Sequence, residues 1–244
     1  MGEVKLNVKL LAHTQLSKGF ADDICADHIP APDSQIAALT AIRCCYSANK
    51  PTEIIVKEKD RYFGRQASDE EGGSEADRLI RHIMRSRHLS TLEHLNYTFV
   101  IEGLSRAALA QLTRHRHMSF SVQSMRYCRF GSSDKSGGFN WVVPPSVSAN
   151  EEARAVFNRA MEHAQSMYDD LRAAGIPAED ARSVLPLSAA TNVVLTANLR
   201  SILEFYAKRK PGRGAQWEIA SLAEKIREEV VNVDPWIGRL FDEV

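Results

Sequence analysis

Ala153, Val156, Phe157, Ala160, Ala164, Met167 and Leu171 recur at three- and four-residue intervals, the spacing of one apolar helical face. With Asn150 as N-cap and Gly175 as terminator, the pattern predicts the longest helix of the chain, from Asn150 to Ala174. Other helical stretches surround it. Asp33 or Ser34 caps a helix through Tyr46, Leu79, Ile83 and Met84 mark another in EADRLIRHIMRSRH, and Ser105 caps one that runs into Arg114. AEDARSVL closes at Pro186, and helices over Ser201–Lys208, Ala215–Val230 and Pro235–Asp242 finish the chain.

Strand-like runs are fewer. Apolar side chains alternate over Val4–Leu11, a β-rich run covers Leu95–Ile101 and is broken by Gly103, WVV is stopped by Pro144 and Pro145, and Thr191–Thr196 leads to Asn198. Strands scattered between helices, rather than alternating strictly with them, predict an α+β or mixed α/β fold with one modest sheet flanked by helices. A length of 244 residues, 44% of them hydrophobic, is read as one domain, 1–244. Between Asn49 and Glu75 the composition is polar and ends in SDEEGGSEAD, which predicts a solvated, mobile loop; GSSDKSGG is a turn-rich insertion.

Several function classes are disfavoured. Thirty-one basic residues balance thirty-one acidic ones, so no global field attracts nucleic acid or an anionic membrane, and anion recognition has to be local. No apolar run reaches the ~20 residues of a membrane span, and the alternating N-terminus lacks a signal-peptide core and a myristoylation signal, so a cytoplasmic protein is expected. Cys25, Cys44, Cys45 and Cys128 have no zinc-ligand spacing; no metal site is expected, and buried free thiols are the simplest reading. Neither GxGxxG nor GxxxxGK[ST] occurs, so a nucleotide cofactor would be held in another way.

The donors concentrate in Arg114–Tyr127, RHRHMSFSVQSMRY, with three arginines, two histidines and three serines. It follows the carboxyl end of a helix, whose dipole disfavours anions, so anion binding there depends on side chains. If Val122–Tyr127 is extended, Ser124 and Arg126 share one face and offer a hydroxyl and a guanidinium to one phosphate. A solvated turn or a small RNA-binding patch is the competing reading. Met118, Phe120, Val122 and Met125 are interleaved with the charges, which favours a partly buried segment whose cations need a bound anion.

This segment resembles the signature of the flavin-dependent thymidylate synthases: RHR, seven residues, Ser, one residue, Arg. Arg114, His115, Arg116, Ser119, Ser124 and Arg126 carry the match. HLSTLEH (His88–His94), ARSVLP (Ala181–Pro186), TANLRSILEF (Thr196–Phe205) and RKPGRGAQWEI (Arg209–Ile219) resemble further family segments. The resemblance implies synthesis of dTMP from dUMP, with methylenetetrahydrofolate as carbon donor, FAD as hydride carrier and NADPH as reductant. It also implies a homotetramer with active sites shared between subunits.

By the same resemblance, Arg114, His115 and Arg116 contact FAD, as do Ser90 from a neighbouring subunit, Val122, the segment Asn198, Leu199 and Arg200, and the position of Glu204. Gln111, Arg114, Val122, Gln123, Ser124, Met125, Arg126 and Arg182 match the dUMP site, with Ser124 and Arg126 on the phosphate. Arg209 matches the catalytic arginine that promotes ionisation at uracil N3; a guanidinium there stabilises the developing anion. His88 is a candidate supporting or proton-handling residue near the flavin, while Trp141 and Trp217 read as core.

Three features depart from the family pattern. Val122 stands where Glu or Gln is usual, Glu204 where Asn or His approaches the flavin, and KPGRG is a residue longer than the usual loop and lacks a His before Ala215. Together with the insertions at Asp60–Gly73 and Gly131–Gly138, they keep open a relative that adds a hydroxymethyl group or acts on another pyrimidine nucleotide.

Overall fold

The computed structural model describes residues 1–24 and 29–244; Cys25, one of the expected thiols, lies outside the described residues. Strands β1 (Asn7–His13), β2 (Asn96–Ser105), β3 (Met118–Val122) and β4 (Ala190–Asn198) form a sheet in the order β1-β2-β4-β3. The helices are α1 (Lys18–Ile24), α2 (Asp33–Tyr46), α3 (Pro51–Tyr62), α4 (Glu75–Arg85), α5 (Arg106–Leu112), α6 (Pro145–Ser148), α7 (Glu151–Ala173), α8 (Ala178–Ala181), α9 (Leu199–Arg209), α10 (Trp217–Val233) and α11 (Gly238–Asp242). Three 3-10 turns cover Leu89–His94, Arg182–Val184 and Pro235–Ile237. This is the expected mixed architecture, richer in helix than in strand.

Side-chain contacts fix the register of β2 and β4. Thr98 and Thr196 hydroxyls lie 2.9 Å apart, and Gly103 N–H donates to Asn192 Oδ1 at 3.3 Å, so the two strands run antiparallel. Along β4 the buried residues are Thr191, Val193, Leu195 and Ala197, a period of two. Gly103 does not break β2, as its composition suggested. It lets the strand continue at φ 68° past Lys5, whose carbonyl oxygen would lie 2.5 Å from any Cβ at that position.

The chain forms two compact units. The first comprises residues 1–9, 100–195 and 216–222, the second residues 10–99, 196–215 and 223–244. In the first, Met125, Phe130, Phe139, Trp141, Val143, Met161, Tyr168, Ala181 and Ala189 make the core, with Phe157, Ala164 and Leu171 packed against it. The inward face of α7 is therefore Phe157, Met161, Ala164, Tyr168 and Leu171; Val156, Ala160 and Met167 of the expected stripe face water. The sequence pattern had merged two adjacent rows of the helix. Asn150 caps α7 as expected, accepting from Ala153 N–H at 3.0 Å.

Gln165 of α7 is buried and bridges two strands of chain. Its amide nitrogen donates to Phe130 O at 2.8 Å, and its oxygen accepts from Phe139 N–H at 2.9 Å, closing the neck of the insertion between them. WVV contributes only a bridge at Trp141, to Glu3 and to Ala189.

In the second unit Ile29, Ile36, Leu39, Ile54, Ile55, Tyr62 and Ala76 form the core. Three of these belong to α3, in the stretch expected to be loop. Pro51 starts that helix, where its missing N–H costs nothing, and Ile54, Ile55, Glu58 and Tyr62 make its narrow buried stripe. The acidic run after it is likewise held. Buried Arg81 bonds Asp69 through Nε at 3.1 Å and through a terminal nitrogen at 2.8 Å, and Arg85 grips Glu71 through two 2.7 Å bonds. Exposed Cys44 and Cys45, half-buried Cys128 and 39% exposed Trp217 also correct the expectation of buried side chains.

Candidate functional site

The candidate residues fall into two groups, one in each unit. In the first unit, buried Ser105 ends β2 and caps α5: its hydroxyl accepts from Ala108 N–H at 3.0 Å and donates to the buried Glu218 carboxylate at 2.6 Å. Glu218 also accepts from Ser105 N–H at 2.7 Å, so the start of α5 is clamped. The other end carries Gln111, and the chain leaves through Arg114 and His115, whose N–H groups bond the carbonyls of Gln111 and Leu112. Arg114 and Arg116 are exposed and His115 is half-buried.

Beyond β3 the chain is not extended. Val122 is the last strand residue, and Gln123 N–H donates to Asn192 O at 2.9 Å. Ser124 then opens a turn: its carbonyl accepts from Cys128 N–H at 2.9 Å and its hydroxyl from Arg126 N–H at 3.2 Å. Met125, only 6% exposed, plugs this turn into the core, so it can offer a ligand little but main chain. Ser124 and Arg126 are thus paired by a turn and not by strand alternation.

Arg126 and Arg182 meet the same residue. Arg126 Nε donates to Glu179 Oε2 at 3.0 Å, while Arg182 Nε donates to the Glu179 main-chain oxygen at 2.9 Å. Sequence reasoning missed both Glu179 and Arg106. A terminal nitrogen of Arg106 donates to Gln123 O at 3.0 Å, whereas its Nε is buried without a partner among the described residues. Burial, and then the charge of Arg182, lower the Arg106 pKa. This end of the first unit holds closely grouped cations with one acid among them, which suits a multiply charged anion.

The second group lies on the turn Leu89–His94 and on α9. Asn198 ends β4 and caps α9, its side-chain oxygen accepting from Ser201 N–H at 2.9 Å. Leu199 is wholly buried and its N–H donates to Leu95 O at 2.8 Å. Arg200 bonds Glu93 at 2.7 Å and Glu204 at 3.1 Å, which joins the turn bearing Ser90 to α9. Those bonds, the one to Glu93 first, raise the Arg200 pKa. Glu204 is therefore charge-paired rather than a bare acid.

Ser90 is exposed, and His88 Nδ1 lies 2.6 Å from the Tyr46 hydroxyl, with the two rings edge to face. Tyr46 was not singled out in the sequence; only the fold brings it to His88. Arg209 is the last residue of α9 and half-buried, and the loop after it turns at Gly212 and Gly214. Among the described residues no helix is long and apolar enough to cross a membrane.

Residues 26–236 match the family described as thymidylate synthase complementing protein. A flavin-dependent thymidylate synthase from Geobacter sulfurreducens is 41% identical over 208 residues, which cover 85% of this chain and 82% of that protein. One from Nitratidesulfovibrio vulgaris is 38% identical, covering 81% and 77%. Among solved structures, a UMP/dUMP methylase, PolB, from Streptomyces cacaoi bound with 5-Br dUMP matches with a TM-score of 0.74 and 22% identity, covering 99% of this chain and 96% of that one. Thymidylate synthase X from Helicobacter pylori, with FAD and dUMP, matches with a TM-score of 0.67 and 24% identity, covering 98% of each. These structural likenesses bear on the fold alone, and the expected mixed α/β class agrees with them.

Proposed function

Because this chain belongs to the flavin-dependent thymidylate synthase family, we infer from its own residues how it handles the nucleotide and the flavin. The protein is an FAD-dependent thymidylate synthase that makes dTMP from dUMP. The carbon donor is proposed to be methylenetetrahydrofolate and the reductant NADPH. The carrying observation is the convergence of Arg126 and Arg182 on Glu179 beside the Ser124 turn, a cation-rich seat suited to a nucleotide phosphate.

Ser124 and Arg126 grip that phosphate, with Arg182 as a further cation; Gln111, Arg114 and the main chain of Val122, Gln123 and Met125 align the nucleotide. Arg106 holds the Gln123 carbonyl and so supports the turn from behind. The donor set fits FAD as well: Arg114 and Arg116 are exposed, and neither pairs with a carboxylate among the described residues, which leaves both for the diphosphate. His115, Ser90, Asn198, Leu199, Arg200 and Glu204 complete the proposed flavin contacts, Leu199 through its main chain.

FAD held by these residues would supply the hydride that completes the methyl group. Arg209 is assigned the activating role: its fixed positive charge stabilises the uracil ring as N3 loses its proton and makes C5 more nucleophilic. Charge stabilisation replaces attack by a cysteine, and Cys128, half-buried against the core, is left a packing role. The Tyr46–His88 pair supports the flavin side.

We treat residues 1–244 as one functional domain, since the family match draws on both units. A homotetramer is proposed as well; the strongly exposed Tyr46, Leu187, Leu11 and Tyr127 are apolar surfaces that neighbouring subunits would cover. Incubating the FAD-loaded protein with dUMP, methylenetetrahydrofolate and NADPH and analysing the product tests the reading. dTMP is expected; hydroxymethyl-dUMP, or turnover of UMP alone, would overturn it.

A further inference from the structure

Arg126 already has an anion. Its partner Glu179 lies 53 residues away in sequence, and both side chains are about half exposed, at 55% and 47%. Such a pair contributes little in water and breaks cheaply. A nucleotide phosphate offers Arg126 a stronger, two-pronged acceptor, yet a carboxylate left beside a phosphate dianion repels it. The two anions are therefore alternatives for one guanidinium.

We propose that Glu179 is an exchange partner for the nucleotide phosphate: its carboxylate holds Arg126 in the empty seat, gives it up when dUMP binds, and takes it back as dTMP leaves. This rests on reading Arg126 as a phosphate ligand. Glu179 is a positioning residue, not a catalytic one, because it acts through Arg126. The arrangement suits the role in two respects. The carboxylate is exposed enough to return to water at small cost. And Glu179 holds Arg182 through its main-chain oxygen, so a change of side chain leaves that bond in place. The buried Arg106 Nε, without a partner among the described residues and under the repulsion of Arg182, marks the surroundings of Arg182 as short of negative charge.

The consequence runs against the usual effect of deleting a charged residue at a ligand site. In the FAD-loaded, full-length protein, Glu179→Gln is expected to tighten dUMP binding about two- to fivefold and to slow dTMP release by a similar factor. KM for dUMP falls, and deoxyuridine, which lacks the phosphate, binds as before. Inorganic phosphate should compete with dUMP more effectively in the variant. Glu179→Ala, which removes the acceptor as well as the charge, should tighten binding too and guards against a substitution-specific defect. Unchanged or weaker dUMP binding in both variants, with the flavin spectrum intact, overturns the exchange. Arg126→Ala separates the layers: if it weakens dUMP binding while neither Glu179 variant tightens it, only the exchange fails; if it leaves dUMP binding unchanged, the phosphate reading itself fails.

Discussion

The two groups of candidate residues are built on opposite principles. On α9 and the turn before β2, polar side chains are committed: Arg200 to Glu93 and Glu204, Asn198 to the helix it caps, His88 to Tyr46. In the Ser124 turn and its surroundings, commitments are provisional. Arg126 holds an exposed acid, and Arg106 keeps a buried N–H unused. A preassembled lattice fixes geometry in advance and suits groups that must be aligned for chemistry. Loosely held cations suit a ligand that must arrive, bind through charge and depart in every cycle.

The sharpest way to break this contrast is at Arg209. Arg209→Ala is expected to lower kcat by at least ~100-fold, the scale seen when one charge-stabilising donor is removed, while FAD stays bound. Steady-state kinetics with a flavin spectrum checks it, and an unchanged kcat would refute the activation role. Arg126→Ala should act in the other currency, raising the dUMP dissociation constant about 10- to 100-fold, as loss of a charge-assisted bond does, with a smaller change in kcat. A fall confined to kcat would place Arg126 among the aligning groups instead.

Acid distinguishes the two units differently. Among the described residues the carboxylates held below their ordinary range are Glu53, Glu58, Asp69, Glu71 and Glu75, all in the second unit. Bonds to Lys57 and to Arg85 lead for Glu53 and Glu71, and a bond to Ser68 leads for Glu75. For Glu58 and Asp69 burial is the largest single influence and opposes ionisation, but hydrogen bonds from Ser47, Arg43 and Asn49, and from Arg81, outweigh it. Depressed values mean that the folded chain binds fewer protons than the unfolded one. Their stabilisation is complete above the ordinary glutamate value of 4.5 and is lost as pH falls through the lower folded values. Hydrogen exchange compared above and well below pH 4.5 should therefore show α3 and the segment that precedes α4 opening before α7 on the acid side. Simultaneous opening would contradict the assignment.

The smallest effect is expected at Glu204. Glu204→Gln leaves Arg200 with Glu93, so FAD affinity should change less than about threefold. A large loss would show that the pair with Glu204, rather than the lattice as a whole, sets the flavin-side geometry.

How much was legible in the sequence depended on whether a signal was local. The cap at Asn150, the cap at Ser105 and the RHR spacing are local, and each lies where the sequence put it. Helix α3 was lost because its apolar content, Ile54, Ile55 and Tyr62, is a thin stripe in a polar run, and because Pro51 reads as a breaker until it is recognised as a first-turn residue. Glu179 and Tyr46 acquire meaning only from partners 53 and 42 positions away. Within Val122–Tyr127, alternation and turn are equally compatible with the residue types; burial of Met125 decides in favour of the turn.

The Gln165 bridge has a practical corollary. One glutamine closes the base of the segment 131–138 as a clasp closes a necklace, and two further ties hold its flanks: Ser132 donates to the Asp169 carboxylate, and the N-terminal ammonium donates to Gly137 O. Closing a longer loop across a fixed neck costs only about 0.6 kcal/mol per doubling of its length. A fluorophore, an affinity tag or a short foreign peptide inserted at exposed Lys135, between those ties, would ride on the enzyme as cargo while the neck stays closed.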